Sequence, residues 1–166
     1  MQNQKNFEKQ LLYGKEFEDK FSRWLILRGW YVTPKYLFNG KGAPLLIGKS
    51  NKFAIPDLDI AKNGKRLWIE CKRKKRMFKH PATGYPLSNH HCYKKVQEIT
   101  GDKVFIVFED DTNSIIELYG NYIDKLDNHI YIPKHHRKSD NQISWYFDNK
   151  EHITFRYPDA FEFISI

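Results

Sequence analysis

The segment from Ile55 to Lys72 reads IPDLDIAKNGKRLWIECK, with an alternating run on each side of an asparagine–glycine pair. Asn63-Gly64 is the strongest short-range signal for a β-hairpin, because both residues tolerate the positive φ angles of a tight turn. The run that follows has an apolar side chain at every other position, as a strand with a buried face requires. The segment therefore predicts a hairpin with arms over 57–61 and 66–72 and a turn over 62–65.

Two carboxylates and a lysine meet on one face of this hairpin. The apolar side chains of the second arm face the core, so Glu70 and Lys72 are neighbours on the opposite face. The turn folds the arms together and can bring Asp57 beside Glu70. Two carboxylates and a backbone carbonyl form a hard oxygen site suited to Mg²⁺. Phosphodiester hydrolysis uses such an ion to stabilise phosphate charge and activate a water, which a neighbouring lysine can orient.

An aromatic helix is predicted upstream of the hairpin. Between residues 7 and 28, five large apolar side chains recur at steps of three and four residues and so share one helix face. These residues are Tyr13, Phe17, Phe21, Trp24 and Leu25. Gly29 is a suitable stop for the helix, and residues 30–33 then predict a short strand that ends at Pro34.

A loop and a second helix are predicted after the hairpin. Residues 80–89 contain two prolines and a glycine and therefore predict a loop. Ser88 or Asn89 then provides a cap for a helix that runs to about Thr100. Upstream, residues 45–47 predict a short strand.

Further strands are predicted toward the end of the chain. Residues 103–108 are rich in β-branched and aromatic side chains and predict a buried strand, and residues 115–119 predict another. Residues 143–147 and 153–157 alternate around a polar turn and predict a hairpin. This order of elements predicts an α/β fold, in which a mixed β-sheet is flanked by helices.

The net charge is +8 at pH 7, and its placement is uneven. Residues 71–97 contain eight lysines and arginines and no aspartate or glutamate. These eight residues, the basic block, are Lys72, Arg73, Lys74, Lys75, Arg76, Lys79, Lys94 and Lys95. A block of one sign in an otherwise balanced chain favours a polyanion such as nucleic acid as the partner. A solvated charge run and a localisation signal are the alternatives.

The residues around the hairpin resemble a known nuclease motif. Ile55-Pro56-Asp57 followed by Glu70-Cys71-Lys72 resembles the PD-(D/E)xK motif of restriction-endonuclease-like nucleases. The upstream helix, with Gly14, Glu18 and Gly29, is similar to the first helix of archaeal-type Holliday-junction resolvases. The resemblance implies a restriction-endonuclease-like fold.

The resemblance continues downstream and then ends. The helix over Tyr93–Gln97, placed before a Val-Phe-Ile-Val strand, resembles the helix–strand unit that follows the motif. The resemblance covers residues 10–110 approximately. We therefore expect a single nuclease domain over residues 1–166, with a β-rich C-terminal extension over 111–166 whose role is open.

What the resemblance implies is hydrolysis of DNA by an endonuclease that depends on Mg²⁺ or Mn²⁺. The metal ion would be held by Asp57, Glu70 and the backbone carbonyl of Cys71. Glu18 would bind the metal or a coordinated water, and Lys72 would position the attacking water. Backbone phosphates would be contacted without sequence readout by Arg73, Lys74, Lys75, Arg76 and Lys79. Tyr93 and Gln97 would support the site from α-helical positions behind it.

Several alternatives stay open on the sequence alone. A non-catalytic nucleic-acid-binding module could use the basic block, and such a module would bind without a divalent metal and never nick. Within the nuclease class, junction resolution, restriction-type cleavage and repair-type trimming are all compatible with the motif. A junction resolvase cuts two strands and so requires a symmetric homodimer, which the sequence leaves open.

Other kinds of site are disfavoured. His90-His91-Cys92 and His135-His136 lack the spacing of zinc-ligand pairs, and no strand–helix pattern of an HNH-type nuclease surrounds the histidines. Cys92 lacks an oxyanion-hole motif for hydrolase chemistry. Six aromatic residues near the end favour a core or dimer interface over base stacking. They are Trp145, Tyr146, Phe147, Phe155, Phe161 and Phe163.

The sequence also carries expectations about location. Its two cysteines, Cys71 and Cys92, do not make a disulfide framework. No apolar run approaches the roughly 18 residues that a membrane span needs. The first nine residues are polar and lack the apolar core of a secretion signal. We therefore expect a cytoplasmic protein with no membrane partner.

Overall fold

The computed structural model describes residues 2–34, 44–73, 82–110, 117–127, 142–146 and 153–156. The first half of the chain forms α1 (Gln2–Leu27), β1 (Tyr31–Pro34), β2 (Leu45–Ile47), β3 (Lys52–Ala54), β4 (Leu58–Lys62) and β5 (Lys65–Arg73). The second half forms β6 (Ala82–Pro86), α2 (Leu87–Thr100), β7 (Lys103–Asp110), β8 (Glu117–Tyr122), α3 (Ile123–Leu126), β9 (Gln142–Tyr146) and β10 (Ile153–Arg156). Among these residues, no helix is long and apolar enough to cross a membrane.

A mixed sheet forms the centre of the fold. Six of the described strands join it in the order β1-β4-β5-β7-β8-β10. β5 and β7 run parallel, with Glu70 opposite Ile106, and the other neighbours are antiparallel. The connection between the parallel strands β5 and β7 is a crossover that contains α2, and parallel neighbours require a long connection of this kind. Strands β8 and β10 come from the predicted C-terminal extension, yet they belong to this same sheet.

The predicted hairpin is confirmed as the β4–β5 pair. The register runs from Leu58 opposite Ile69 to Lys62 opposite Lys65, so the turn contains two residues. Asn63 and Gly64 have φ angles of 52° and 76°, the left-handed values that a two-residue hairpin turn of this kind demands.

The long helix α1 ends where its sequence indicates. Gly29 has a φ angle of 80° and donates its N–H to the carbonyl of Ile26 at 2.9 Å. The N–H of Trp30 bonds to the carbonyl of Leu25 at 3.1 Å, which completes a Schellman-type end. The chain then turns directly into β1, and Trp30 is buried against the helix it follows.

Both faces of the sheet are covered by helices. On one face α1 buries its aromatic stripe, including Phe17, Phe21 and Trp24, against Leu67, Ile69 and Cys71 of β5. On the other face α2 packs through Tyr93 and Val96, and Trp68 belongs to this second cluster. The alternation predicted for β5 is confirmed. Its second face is buried as well, so Glu70 lies under α2 with 1% of its surface exposed.

The predicted loop over 80–89 is wrong over residues 82–89, the part that the structure describes. Ala82–Pro86 is a strand that pairs with β9, with Gly84 opposite Ser144. Pro86 ends the strand, where its missing N–H removes no interior ladder bond. The predicted cap is also wrong, because α2 begins at Leu87 without a side-chain cap. The strand depends on a partner about sixty residues away in the sequence, which local turn signals do not reveal.

The predicted C-terminal hairpin is wrong in its pairing. β9 and β10 both exist as strands, but β9 pairs with β6 and β10 pairs with β8. The two strands therefore lie in different sheets. The turn that was predicted between them, and the side chains of the six C-terminal aromatic residues, lie outside the described part of the chain.

Candidate active site

The first carboxylate stands at the open end of the β4–β5 hairpin. Asp57 immediately precedes β4, and extending the register by one residue from Leu58 and Ile69 places it beside Glu70. The backbone N–H of Cys71 donates to Asp57 Oδ2 at 2.8 Å. The hairpin thus fixes Asp57 by a backbone hydrogen bond from the strand that carries Glu70.

Glu70 and Lys72 form an ion pair on the α2 face of β5, in which Glu70 is buried and Lys72 is partly buried. Lys72 Nζ contacts Glu70 Oε1. Burial opposes the charge of Lys72, but the Glu70 and Asp57 carboxylates outweigh it and raise the pKa of the ammonium above its usual value. Lys72 therefore remains a cation at neutral pH, and it can donate hydrogen bonds but cannot accept a proton.

Glu18 reaches the same site from α1. Its side chain is partly buried, and burial followed by repulsion from Glu70 raises the pKa of the carboxyl. Burial, then repulsion from Glu70, raises the pKa of Asp57 well above its usual range, and Glu18 adds to this effect. Repulsion between these carboxyl groups therefore links Glu18 electrostatically to Asp57 and Glu70.

Glu16 faces a different part of the molecule. Its carboxylate lies 2.9 Å from Arg73 and 3.4 Å from Lys20, and hydrogen bonds to these residues lower the pKa of Glu16. The pairing with Lys20 is the one that the four-residue spacing indicates. Of the two helix glutamates, Glu18 is the one whose carboxyl pKa is raised by Glu70, whereas Glu16 pairs with the cations Arg73 and Lys20.

The charges of this cluster fit a divalent cation. Glu18, Asp57 and Glu70 carry three negative charges when ionised, and Lys72 supplies one positive charge, which leaves a deficit of two. Glu70 Oε2 is buried and has no hydrogen-bond partner among the described residues, a costly state for a carboxylate oxygen. No three acidic, histidine or cysteine side chains in the described part of the chain form a ready-assembled metal cluster. These residues therefore fit a divalent cation through their oxygen donors, their summed charge and the Glu70 oxygen that has no hydrogen-bond partner among the described residues. The other Glu70 oxygen contacts Lys72.

Of the two groups predicted to support the site, one lies there. Burial, followed by the neighbouring Glu70 carboxylate, raises the pKa of Tyr93, so its phenol stays protonated beside Glu70. Gln97 points elsewhere. Its Nε2 donates to both oxygens of Asp124 at 2.9 Å, and its Oε1 accepts the N–H of Val104 at 3.0 Å. Gln97 therefore ties α2 to α3 and β7 and does not support the site directly.

The basic block is neutralised wherever the structure describes it. Lys94 lies 2.8 Å from Asp124 and 2.6 Å from Asp127, and Lys95 pairs with Glu98. Lys72 pairs with Glu70, which lies just before the block on the same strand. The other predicted phosphate contacts of the block, Lys74, Lys75, Arg76 and Lys79, lie outside the described residues.

Arg73 has an internal role that the sequence did not indicate. Its guanidinium lies 2.6 Å from Glu109 and 2.9 Å from Glu16, and it stacks 3.9 Å from the Tyr13 ring centroid. Only 10% of its side chain is exposed. These contacts join α1, β5 and β7, and they argue against a phosphate contact by Arg73.

His90 is a buried residue of α2 with hydrogen-bond partners inside the fold. Its Nδ1 lies 2.9 Å from the Tyr85 hydroxyl and its Nε2 lies 2.6 Å from Asp127. Burial lowers the pKa of His90, although Asp127 opposes the shift. Cys71 and Cys92 are both free, as predicted. His135 and His136 lie outside the described residues.

The layered sheet and the position of its acidic hairpin define the class of fold, which is restriction-endonuclease-like, as predicted. Among solved structures, the chain is similar to Hjc, a Holliday junction resolvase from the archaeal hyperthermophile Archaeoglobus fulgidus, with a TM-score of 0.53. The match covers 79% of this chain and 86% of that one, at 11% sequence identity. No family model and no curated protein matches the sequence. At this identity the likeness concerns the fold.

Proposed function

We propose that this protein is a metal-dependent endonuclease that hydrolyses DNA phosphodiester bonds, with branched DNA as its preferred substrate. The proposal rests on the buried Glu70 carboxylate, which pairs with Lys72, lies beside Asp57 on the hairpin and has one oxygen without a hydrogen-bond partner among the described residues. Burial and repulsion from Glu70 raise the pKa of Glu18, which adds a third carboxyl group to the candidate set. The likeness in fold to a junction resolvase supports the choice of substrate.

The proposed roles follow from the donor set. Asp57, Glu70, the carbonyl of Cys71 and Glu18 would hold Mg²⁺ or Mn²⁺ as oxygen ligands. When bound, the ion supplies charge stabilisation at the phosphate and lowers the pKa of a coordinated water. Lys72, held as a cation by its neighbours, would donate a hydrogen bond to the attacking water or the phosphate oxygen. Tyr93 would keep Glu70 in position from α2.

The decisive experiment is a cleavage assay with the purified protein. Plasmid, linear duplex, single-stranded and four-way-junction DNA are incubated with Mg²⁺, with Mn²⁺ and with EDTA. We expect cleavage that requires the metal and is fastest on the junction. Binding without nicking in every metal condition would indicate a non-catalytic binding module. That alternative has less support, because every described member of the basic block already has a carboxylate partner.

Junction cleavage carries an expectation about assembly. Two strands must be cut at a junction, so we propose that the active form is a homodimer with two equivalent sites. Sedimentation of the protein with a four-way junction tests this, and we expect a complex that contains two chains per junction. A complex with one chain that still cuts both strands would contradict the proposed dimer.

The two helix glutamates provide a matched test of the site. Glu18→Gln is expected to slow cleavage at least about tenfold at limiting Mg²⁺, equivalent to roughly 1.4 kcal/mol, because it removes a charge from the cluster. Glu16→Gln should stay near the wild-type rate, because Glu16 pairs with Arg73 and Lys20. Initial rates across a Mg²⁺ titration give both values. Equal effects, or the reverse order, would place the wrong face of α1 at the site.

DNA binding is expected to depend steeply on salt. Phosphate contacts displace condensed counterions, with a log–log slope of about −0.9 for each phosphate contacted. Since the described cations of the basic block are already paired, we assign these contacts to Lys74 and Lys75. Reversing both to Glu should weaken binding to all sequences alike and flatten the slope. The control is Lys95→Gln, which removes a cation paired with Glu98 and should change little.

The acidic cluster is expected to destabilise the metal-free protein at neutral pH. Because the pKa of Asp57 is raised in the fold, its contribution to stability is present below about pH 4 and is lost as pH rises through the folded-state value. Asp57→Asn keeps an oxygen for the Cys71 N–H and removes the repulsion. In EDTA at about pH 7.5, the variant should therefore be more stable, with a free energy of unfolding about 0.5–2 kcal/mol above that of the wild type.

The pH dependence and a control complete this test. The advantage of Asp57→Asn should shrink as the pH falls below about 4, where the wild-type carboxyl becomes protonated in both the folded and the unfolded states. Asp59→Asn is the matched control, because Asp59 accepts a hydrogen bond from Arg66 at 2.8 Å and its substitution should destabilise the fold. Urea titrations at both pH values provide the measurement. If Asp57→Asn were less stable than the wild type at neutral pH, the carboxylate would stabilise the fold, contrary to this prediction.

A further inference from the structure

A groove of about 470 Å³ opens at the other end of β5 from the candidate active site. It is lined by the first residues of β5 and β7, by the end of β8 and by α3. Its volume lies within the roughly 300–1,000 Å³ of small-molecule sites. None of the roles proposed above uses this groove.

The apolar part of the lining is built from Leu67 and Tyr122. Leu67 is a core residue, and Tyr122 packs against the same core while remaining partly exposed. The Tyr122 ring meets the Phe105 ring edge to face, with centroids 5.2 Å apart and planes at 90°. Packing therefore holds an aromatic surface in a fixed orientation, which suits stacking against a planar ring.

The groove also carries more positive than negative charge among the described residues that line it. Four cations and two aspartates line it. Of these cations, Arg66 is bonded to Asp59 at 2.8 Å and Lys103 to Asp124 at 2.8 Å. Lys65 and Lys125 are exposed, and neither has a carboxylate partner within the described ranges. They differ in this from the paired lysines of the basic block, and they remain available to an anion.

We infer that this groove binds a nucleotide, with the phosphate at Lys65 and Lys125 and the base against Tyr122. The fixed aromatic ring suits stacking of the base, and the two lysines suit the charge of the phosphate. The site is separate from the candidate active site. Leu67 precedes Glu70 by three residues and Lys72 by five, or about 10–17 Å along the strand at ~3.3 Å per residue. Leu67 also faces α1, whereas Glu70 faces α2.

Calorimetric titration of the full chain with thymidine monophosphate in EDTA tests the inference. We expect saturable binding that is about tenfold weaker or more for thymidine alone and for inorganic phosphate alone, since each retains half of the contacts. Lys65→Gln with Lys125→Gln should weaken nucleotide binding at least about fivefold. Lys52→Gln, an exposed lysine on β3, is the matched control and should bind as wild type does.

A second variant and a second readout separate this site from the catalytic one. Tyr122→Leu should weaken the nucleotide but not inorganic phosphate, because it removes only the stacking surface. Asp57→Asn should bind thymidine monophosphate as wild type does, so the groove can be present even if no nuclease activity is found. Undiminished binding in the double lysine variant, or binding that Asp57→Asn abolishes, would overturn the inference.

A competition experiment distinguishes a DNA strand from a free nucleotide as the natural ligand of the groove. A single-stranded oligonucleotide with a 5′-phosphate is added to the complex with thymidine monophosphate. Displacement at stoichiometric oligonucleotide supports a DNA strand as the natural ligand. Retention of the mononucleotide supports a free nucleotide. Absence of mononucleotide binding at millimolar concentration would overturn the site for both sources.

Discussion

Asp57→Asn and Glu70→Gln are each expected to lower the rate of DNA cleavage at least about 1,000-fold, or roughly 4 kcal/mol, with the protein still folded. Each substitution keeps the shape of the side chain and removes one negative charge from a cluster with few ligands. Asp57→Asn can still accept the N–H of Cys71, as the carboxylate does at 2.8 Å. The loss should therefore arise from metal binding and not from unfolding.

DNA binding provides the second readout for these variants. The affinity of both proteins for DNA in EDTA should equal or exceed that of the wild type, because negative charge has been removed near the phosphate path. Asp59→Asn is the control on the same arm of the hairpin. Its carboxylate is held by Arg66, so its loss should cost stability while the cleavage rate per folded molecule stays within a few-fold. Cleavage at the wild-type rate by either Asp57→Asn or Glu70→Gln would contradict the proposed role of the hairpin.

The hairpin could be predicted because its signals are local. The two-residue period of β5 fixes which side chains share a face, and Asn63-Gly64 fixes where the chain reverses. Together these place Asp57 beside Glu70 without any knowledge of distant contacts. The aromatic stripe of α1 likewise determines which face of that helix packs on the sheet.

Other features could not be predicted because they depend on partners far away in the sequence. β6 is a strand only because β9 pairs with it, and its proline and glycine residues favour a loop when read alone. Likewise, the basic block has a single sign along the chain, but folding brings Glu16 and Glu109 to Arg73. Linear charge patterns therefore overstate the positive surface, and the unpaired cations Lys65 and Lys125 lie elsewhere.

Lys72→Met is expected to reduce the cleavage rate by about 100- to 1,000-fold without weakening metal binding. Methionine retains most of the aliphatic stem and removes the ammonium that contacts Glu70. Because the pKa of Lys72 is raised, its proposed role is that of a fixed cation, and the variant would lose the proposed stabilisation of the developing phosphate charge. Lys72 is not a ligand, and removing a positive charge beside the carboxylates should leave Mn²⁺ affinity equal or higher.

Two measurements distinguish this role from a purely structural one. Calorimetry with Mn²⁺ should give wild-type or tighter binding for Lys72→Met, in contrast to the loss expected for Glu70→Gln. The rate of the wild-type enzyme should not fall with rising pH below about pH 10, because deprotonation of Lys72 lies above its usual pKa of about 10.4. Lys95→Met controls for loss of a lysine with an exposed partner. Weak Mn²⁺ binding together with slow cleavage in Lys72→Met would show that the ammonium holds the carboxylates in place and does not act on the phosphate.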